Sequence, residues 1–157
     1  MAAYYSRKVK MSFQDALSKV STSLQRQGFG LITTIDLKDI FKQKLNVAFR
    51  NYKILGACNP QFAYKAVSLE SHLGVMLPCN IVVQEHENGE VEISAINPLE
   101  NIDKALKATQ LAGLATEVGN RLRSALDDLE HHSSESHIDA LPTEAREDKD
   151  YQYSIQG

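Results

Sequence analysis

The chain has 157 residues, 43% of them apolar, which is enough for one domain with a buried core. Its formal net charge of −3 is unevenly spread. Residues 1–130 hold 15 Lys and Arg against 14 Asp and Glu, whereas residues 131–157 hold 2 against 6. Residues 1–130 are therefore nearly neutral, whereas nucleic-acid-binding domains are typically strongly basic. We therefore expect no nucleic-acid partner.

The chain divides into a predicted single α+β domain over residues 1–130 and a tail. From residue 131 onward the sequence is polar, acidic and contains three histidines, and we predict a disordered tail over 131–157. No apolar run reaches membrane-spanning length, so no membrane partner is expected. Two cysteines without a secretory leader are typical of a reducing compartment, which predicts a cytoplasmic protein.

The first predicted elements are a strand over Tyr4–Met11 and a helix that begins after Ser12. Ser12 and Asp15 have the spacing of a capping box, and Gly28 supplies a left-handed stop. The helix carries an apolar stripe of Phe13, Ala16, Leu17, Val20 and Leu24. A strand over Phe29–Ile35 then leads into a second helix, which Asp36 caps.

The middle of the chain predicts a strand over Tyr52–Ala57 and a third helix. Asn59 and Pro60 form a strong helix opening, because asparagine caps a helix and proline fits its first turn. Asn88-Gly89 then predicts a two-residue hairpin between strands at 77–87 and 90–96. That turn pairs Val82 with Ala95 and Ile81 with Ile96, and it places Glu85 opposite Glu92.

The last predicted helix begins at Asn97-Pro98 and runs to about residue 130. Its apolar stripe consists of Ile102, Leu106, Leu111, Leu114, Val118, Leu122, Ala125 and Leu129. The order of elements fits an α+β fold with a curved, mainly antiparallel sheet and helices packed mostly on one face.

The two cysteines each precede an asparagine, and both pairs touch a proline at a strand boundary. Cys58 lies directly before the third helix, where the positive end of the helix dipole stabilises a thiolate. Pro60 donates no N–H, but the amides of Gln61 and Phe62 are predicted to remain free and to hold an anion. Cys58 is therefore the candidate nucleophile. The alternative is a buried apolar role, since unpaired cysteines are among the most buried residues.

The candidate ligand-binding residues are Cys58, Asn59, Cys79 and Asn80. Cys79 opens the next strand, and the two thiols form a reversible disulfide only if their Cα atoms lie within about 7 Å. The spacing of the cysteines with His72 and His86 matches no compact zinc signature, so we expect no metal site and no cofactor.

The chain resembles the bacterial and archaeal family called domain of unknown function 302 over roughly residues 5–130. The resemblance is carried by Gly28-Phe29-Gly30, by Tyr52 with Ile54-Leu55-Gly56-Ala57-Cys58-Asn59-Pro60, by Leu77-Pro78-Cys79-Asn80-Ile81-Val82-Val83 and by Ile96-Asn97-Pro98. It implies a sheet and helices with the outline of the TATA-binding protein, and it implies a homodimer. It implies no reaction, because the family has no settled activity.

Three functions remain open from the sequence. The leading hypothesis is a dimeric module, non-enzymatic or weakly enzymatic, that binds a small molecule near the two Cys-Asn pairs. The second is a thiol-based redox or sulfur-carrier protein, with Cys58 as nucleophile and Cys79 as its resolving partner. The third is a purely structural interaction protein, whose long final helix buries its apolar stripe against a partner subunit.

Overall fold

The structure is a computed structural model that describes residues 2–100 and 109–131. The strands are β1 (Tyr4–Val9), β2 (Gly30–Asp36), β3 (Tyr52–Cys58), β4 (Cys79–Glu85) and β5 (Val91–Ile96). The helices are α1 (Phe13–Arg26), α2 (Leu37–Leu45), α3 (Pro60–Leu69) and α4 (Thr109–His131), with a 3-10 helix (Ser71–Met76) between α3 and β4. The predicted tail beyond His131, and Ile102 and Leu106 of the last predicted helix, lie outside the described residues.

The predicted helix caps are confirmed. The Ser12 hydroxyl accepts a hydrogen bond from the Asp15 amide at 3.1 Å, and the Asp36 carboxylate accepts one from the Asp39 amide at 3.2 Å. Gly28 lies in the left-handed region that the end of α1 requires, with φ of +85°. These caps are local features, so the sequence alone identifies where the helices begin.

The strands form one open antiparallel sheet in the order β1-β5-β4-β3-β2. Alternate residues of β4 and β5 are buried, which is the period expected when helices cover one face of a sheet. Helices α1 and α4 contact each other and the central strands. The fold is therefore α+β, as predicted. No helix within the described ranges is long and apolar enough to cross a membrane.

The predicted hairpin register is wrong by one residue. Ile81 pairs with Ala95 and Val82 pairs with Ser94, because the connection contains three residues (87–89) instead of two. The Gly89 amide donates to the His86 carbonyl, and the His86 amide donates to the Glu90 carbonyl, each at 2.8 Å. Gly89 occupies the left-handed position of such a loop, with φ of +82°.

The apolar stripe of α4 is buried within its own chain. Its fully buried members in the described residues include Leu111, Leu122, Ala125 and Leu129. The prediction of this helix from residue 109 onward is confirmed, but its stripe packs on the sheet and on α1. The described part of the stripe, from Leu111 to Leu129, therefore packs within its own chain.

Candidate functional site

A cavity of about 60 Å³ lies beside α3, at the end of the sheet where β3 finishes and β4 begins. Its walls come from β3, α3, the 3-10 helix, β4, β5 and α4, and from the segments that carry Phe29, Leu77 and Pro98. Nearly all of its lining side chains are apolar, and none of the described lining residues is Asp, Glu, Lys, Arg or His. We call this space the cavity.

The cavity exists because the apolar residues pack as two clusters. The main core consists of sheet residues with α1 and the second half of α4, including Leu122 and Leu126. A smaller cluster joins Ala66 of α3, Leu73 of the 3-10 helix, and Leu111 and Ala115 of α4. The cavity is lined by members of both clusters, so it marks the place where the two fail to close completely.

Cys58 and Asn59 both line the cavity, but Asn59 already has a structural role. Its side-chain oxygen accepts hydrogen bonds from the amides of Gln61 at 3.2 Å and Phe62 at 3.4 Å. The expectation that these two amides are free to hold an anion is therefore wrong, since the cap oxygen takes them. Cys58 is half-buried and is a free thiol at the end of β3.

Cys79 lines the same cavity from β4. Cys79 pairs with Ala57 across the sheet, and Cys58 is the residue that follows Ala57 in the chain. Cys79 is only 8% exposed and is also a free thiol. Burial raises the pKa of Cys79 to about 11, with a smaller contribution from the nearby Cys58. Cys79 is therefore a neutral thiol at physiological pH.

Gly56 shows that the two Cys-Asn segments pack directly against each other. A side chain at Gly56 would place its Cβ 2.7 Å from Cγ of Pro78, which is closer than carbon atoms approach. Gly56 pairs with Asn80 in the sheet. Because glycine has no side chain, Leu77-Pro78 can pack closely against the end of β3. The segment that ends in Cys58-Asn59 and the segment that contains Cys79-Asn80 are therefore packed together as one structural unit.

Asn80 lies apart from the other three candidate residues. Successive strand residues point to opposite faces, so Asn80 projects away from Cys79 and its helices. It is exposed and lines a shallow groove on the open face of the sheet with Tyr52 and Ser94. The structure thus brings Cys58, Asn59 and Cys79 to one cavity and leaves Asn80 outside it.

Arg121 of α4 is a neighbour of the site that the sequence did not indicate. Its guanidinium carbon lies 5.1 Å from the centre of the Phe62 ring, and it donates to the Gln27 carbonyl at 3.3 Å. A Cβ at Gly28 would contact both Asn59 and Arg121, which places this cation beside the Asn59 cap. Its spacing from Glu117 resembles an ordinary surface ion pair, so no sequence signal marked it.

A second polar cluster lies near the hairpin. Glu92 accepts hydrogen bonds from the Ser6 hydroxyl and from Nε2 of His86, the latter at 2.7 Å, and both lower the pKa of the Glu92 carboxyl. Because the carboxylate stands between the hydroxyl and the imidazole, His86 is not placed to act as a base on Ser6. His72 instead contacts Glu70 at 2.9 Å. The described residues contain no group of three or more His, Cys, Asp or Glu arranged to hold a metal.

Comparisons with known proteins agree with the sequence motifs. The crystal structure of an uncharacterized conserved DUF302 protein from Bacillus stearothermophilus is similar, with a TM-score of 0.76 at 25% identity. The match covers 83% of this chain and all of that one. No functionally curated protein matches. The model of the family described as Domain of unknown function DUF302 matches residues 5–129, and the chain therefore belongs to that family.

Proposed function

We propose that the protein is a module that binds a small apolar molecule in the cavity. The observation that carries this proposal is the apolar lining: among the described lining residues, Asn59 is the only one with an amide side chain, and that amide caps α3. Organic-ligand sites typically have volumes of about 300–1,000 Å³. A cavity of about 60 Å³ therefore admits such a ligand only when its walls separate. We expect the walls to separate at the boundary between the two apolar clusters.

Benzene is a suitable probe, because dry apolar cavities bind it without hydrogen bonds. We expect benzene to raise the midpoint of thermal unfolding, since a ligand at 100 times its Kd stabilises the native state by about 2.7 kcal/mol. Ala115→Leu fills the cavity from α4 and should remove this rise. Differential scanning calorimetry with and without benzene measures the effect.

Ala112→Leu is the matched control, because Ala112 lies on the same helix and is not among the residues that line the cavity. It should keep the full benzene response. Equal responses in both variants, or no response in the unsubstituted protein, would contradict the proposal.

Thiol chemistry is the second candidate function, supported by the presence of both cysteines at one cavity. In it the Cys58 thiolate attacks a peroxide, forming a sulfenic acid and releasing the alcohol or water as leaving group. The Cys79 thiol then loses its proton, its sulfur attacks the oxidised Cys58, and a disulfide and water are formed. A cytoplasmic location suits this chemistry, since it keeps both thiols reduced at rest.

The two thiols should differ in alkylation. We expect iodoacetamide to modify the half-buried Cys58 first in the folded protein, and Cys79 slowly. Because the pKa of Cys79 is about 11, its labelling rate should rise about tenfold per pH unit between pH 7 and 10. Peptide mass spectrometry over a time course measures both rates. Modification of Cys79 before Cys58 at pH 7 would exclude this assignment of roles.

We further propose that the protein forms a homodimer through β2. This edge strand has no charged residue from Gly30 to Ile35, so antiparallel pairing with a second copy creates no like-charge contact. Helix α2, which follows β2, has no buried residue although it carries Ile40 and Leu45. The opposite edge, β1, is protected by an exposed Lys8.

Ile32→Lys tests this interface. Ile32 is 60% exposed, so the substitution leaves the core intact but places a charge on the edge. We expect sedimentation velocity to show a dimer for the unsubstituted chain and a monomer for Ile32→Lys. Val75→Lys is the matched control, because Val75 is 88% exposed on the 3-10 helix and should leave the dimer unchanged. A dimer that persists in Ile32→Lys would exclude the β2 edge.

A further inference from the structure

The lining of the cavity is apolar, but a positive charge lies beside it. The Arg121 guanidinium carbon is 5.1 Å from the centre of the Phe62 ring, and Phe62 lines the cavity. Val118, which precedes Arg121 by about one turn of α4, lines it as well. The Arg121 side chain is 41% exposed, so a ligand can reach the guanidinium from solvent. The apolar space and this cation are therefore neighbours.

A small polar recess lies between Arg121 and the start of α3. A Cβ on Gly28 would lie 2.9 Å from Nδ2 of Asn59 and 3.8 Å from Nη1 of Arg121, so both nitrogens border the space beside this glycine. The φ of +85° at Gly28 favours glycine at this position. Asn59 itself and Phe29, the residue after Gly28, line the cavity. The recess therefore adjoins the cavity.

Both nitrogens can donate hydrogen bonds to a ligand. The Asn59 side-chain oxygen accepts from two backbone amides of α3, and within the described ranges its Nδ2 has no acceptor. Arg121 has five N–H donors, and it donates to the Gln27 carbonyl at 3.3 Å and to Glu117 at 3.2 Å. The Glu117 pair is exposed, and such pairs are weak, so a ligand carboxylate can share or displace it.

The charges around the recess favour an anion. None of the described residues that line the cavity is Asp or Glu, so a carboxylate meets no like charge in the lining. Helix α3 begins directly after Asn59, and the positive end of its dipole lies on the same side. Arginine is well matched to a carboxylate, because its planar fork donates two parallel hydrogen bonds. A neutral head group gains less from these features than a carboxylate does.

We propose that the ligand of the cavity is an apolar monocarboxylic acid. Its carboxylate pairs with Arg121 and with Nδ2 of Asn59, and its apolar body lies in the cavity. This assignment rests on the proposed function, which supplies an apolar guest, and it adds the chemical class of that guest. The apolar body enters by the same separation of walls that benzene requires. Binding is non-covalent, so no bond forms or breaks.

Benzoate tests the proposal beside benzamide, which has nearly the same shape and no charge. At pH 7 we expect benzoate to bind the unsubstituted protein about tenfold more tightly or better, because hydrogen bonds between two charged groups are stronger than those to a neutral carbonyl. Isothermal titration calorimetry on the full-length protein measures both dissociation constants.

Arg121→Gln should weaken benzoate binding by about tenfold or more and leave benzamide binding unchanged. Arg123→Gln is the matched control, because Arg123 is on the same helix and also lies over an aromatic ring, 4.8 Å from the centre of Tyr5, which does not line the cavity. It should keep both affinities. Arg121→Lys keeps the charge without the planar fork, so it should retain part of the preference for benzoate. Circular dichroism checks that each variant is folded.

Equal affinities for benzoate and benzamide in the unsubstituted protein would overturn the proposal, and so would a preference for benzoate that survives Arg121→Gln. Ala115→Leu should weaken the binding of both probes, because it fills the cavity. Benzoate binding that Ala115→Leu leaves unchanged would put the ring outside the cavity and would also overturn the proposal.

Failure of this proposal is distinguishable from failure of the proposed function. Stabilisation by benzene without a preference for benzoate would overturn the assignment of a carboxylic acid alone. The absence of any response to benzene, benzamide and benzoate would overturn both.

Discussion

The packing of α4 is the constraint on which the rest of the structure depends. Its second half, with Leu122 and Leu126, completes the main core above the sheet. Its first half, with Leu111 and Ala115, holds α3 and the 3-10 helix in a separate cluster. The two clusters meet along this one helix, and Ala115 and Val118 line the space between them. The space left between the two clusters is the cavity.

This arrangement explains why the two Cys-Asn segments look related in sequence yet act differently. Cys58 and Asn59 end a strand and begin a helix, so the asparagine is taken by the cap and the thiol remains half-buried. Cys79 begins a strand and points into the core, where burial keeps its thiol protonated. Asn80 follows on the other face of the sheet. The two copies of the Cys-Asn dipeptide therefore lie in two different environments.

The sequence predicted local features well, because capping and helical periodicity depend on neighbours in the chain. The hairpin register depended on whether Gly89 sits inside a two-residue turn or ends a three-residue loop, and both use the same Asn-Gly signal. The position of Arg121 beside the Asn59 cap depends on contacts between segments that are distant in the sequence. A single sequence gives no direct measure of such tertiary contacts, and the family resemblance indicated no site.

The central claim is that Cys58 and Cys79 line one apolar cavity between the two clusters. Xenon binds in empty apolar cavities and scatters X-rays strongly, so a crystal pressurised with xenon measures this claim most directly. We predict a xenon peak within van der Waals contact of both sulfur atoms and of Ala115. A crystal in which ordered protein atoms fill the space between the sulfurs, with no xenon there, would contradict the account.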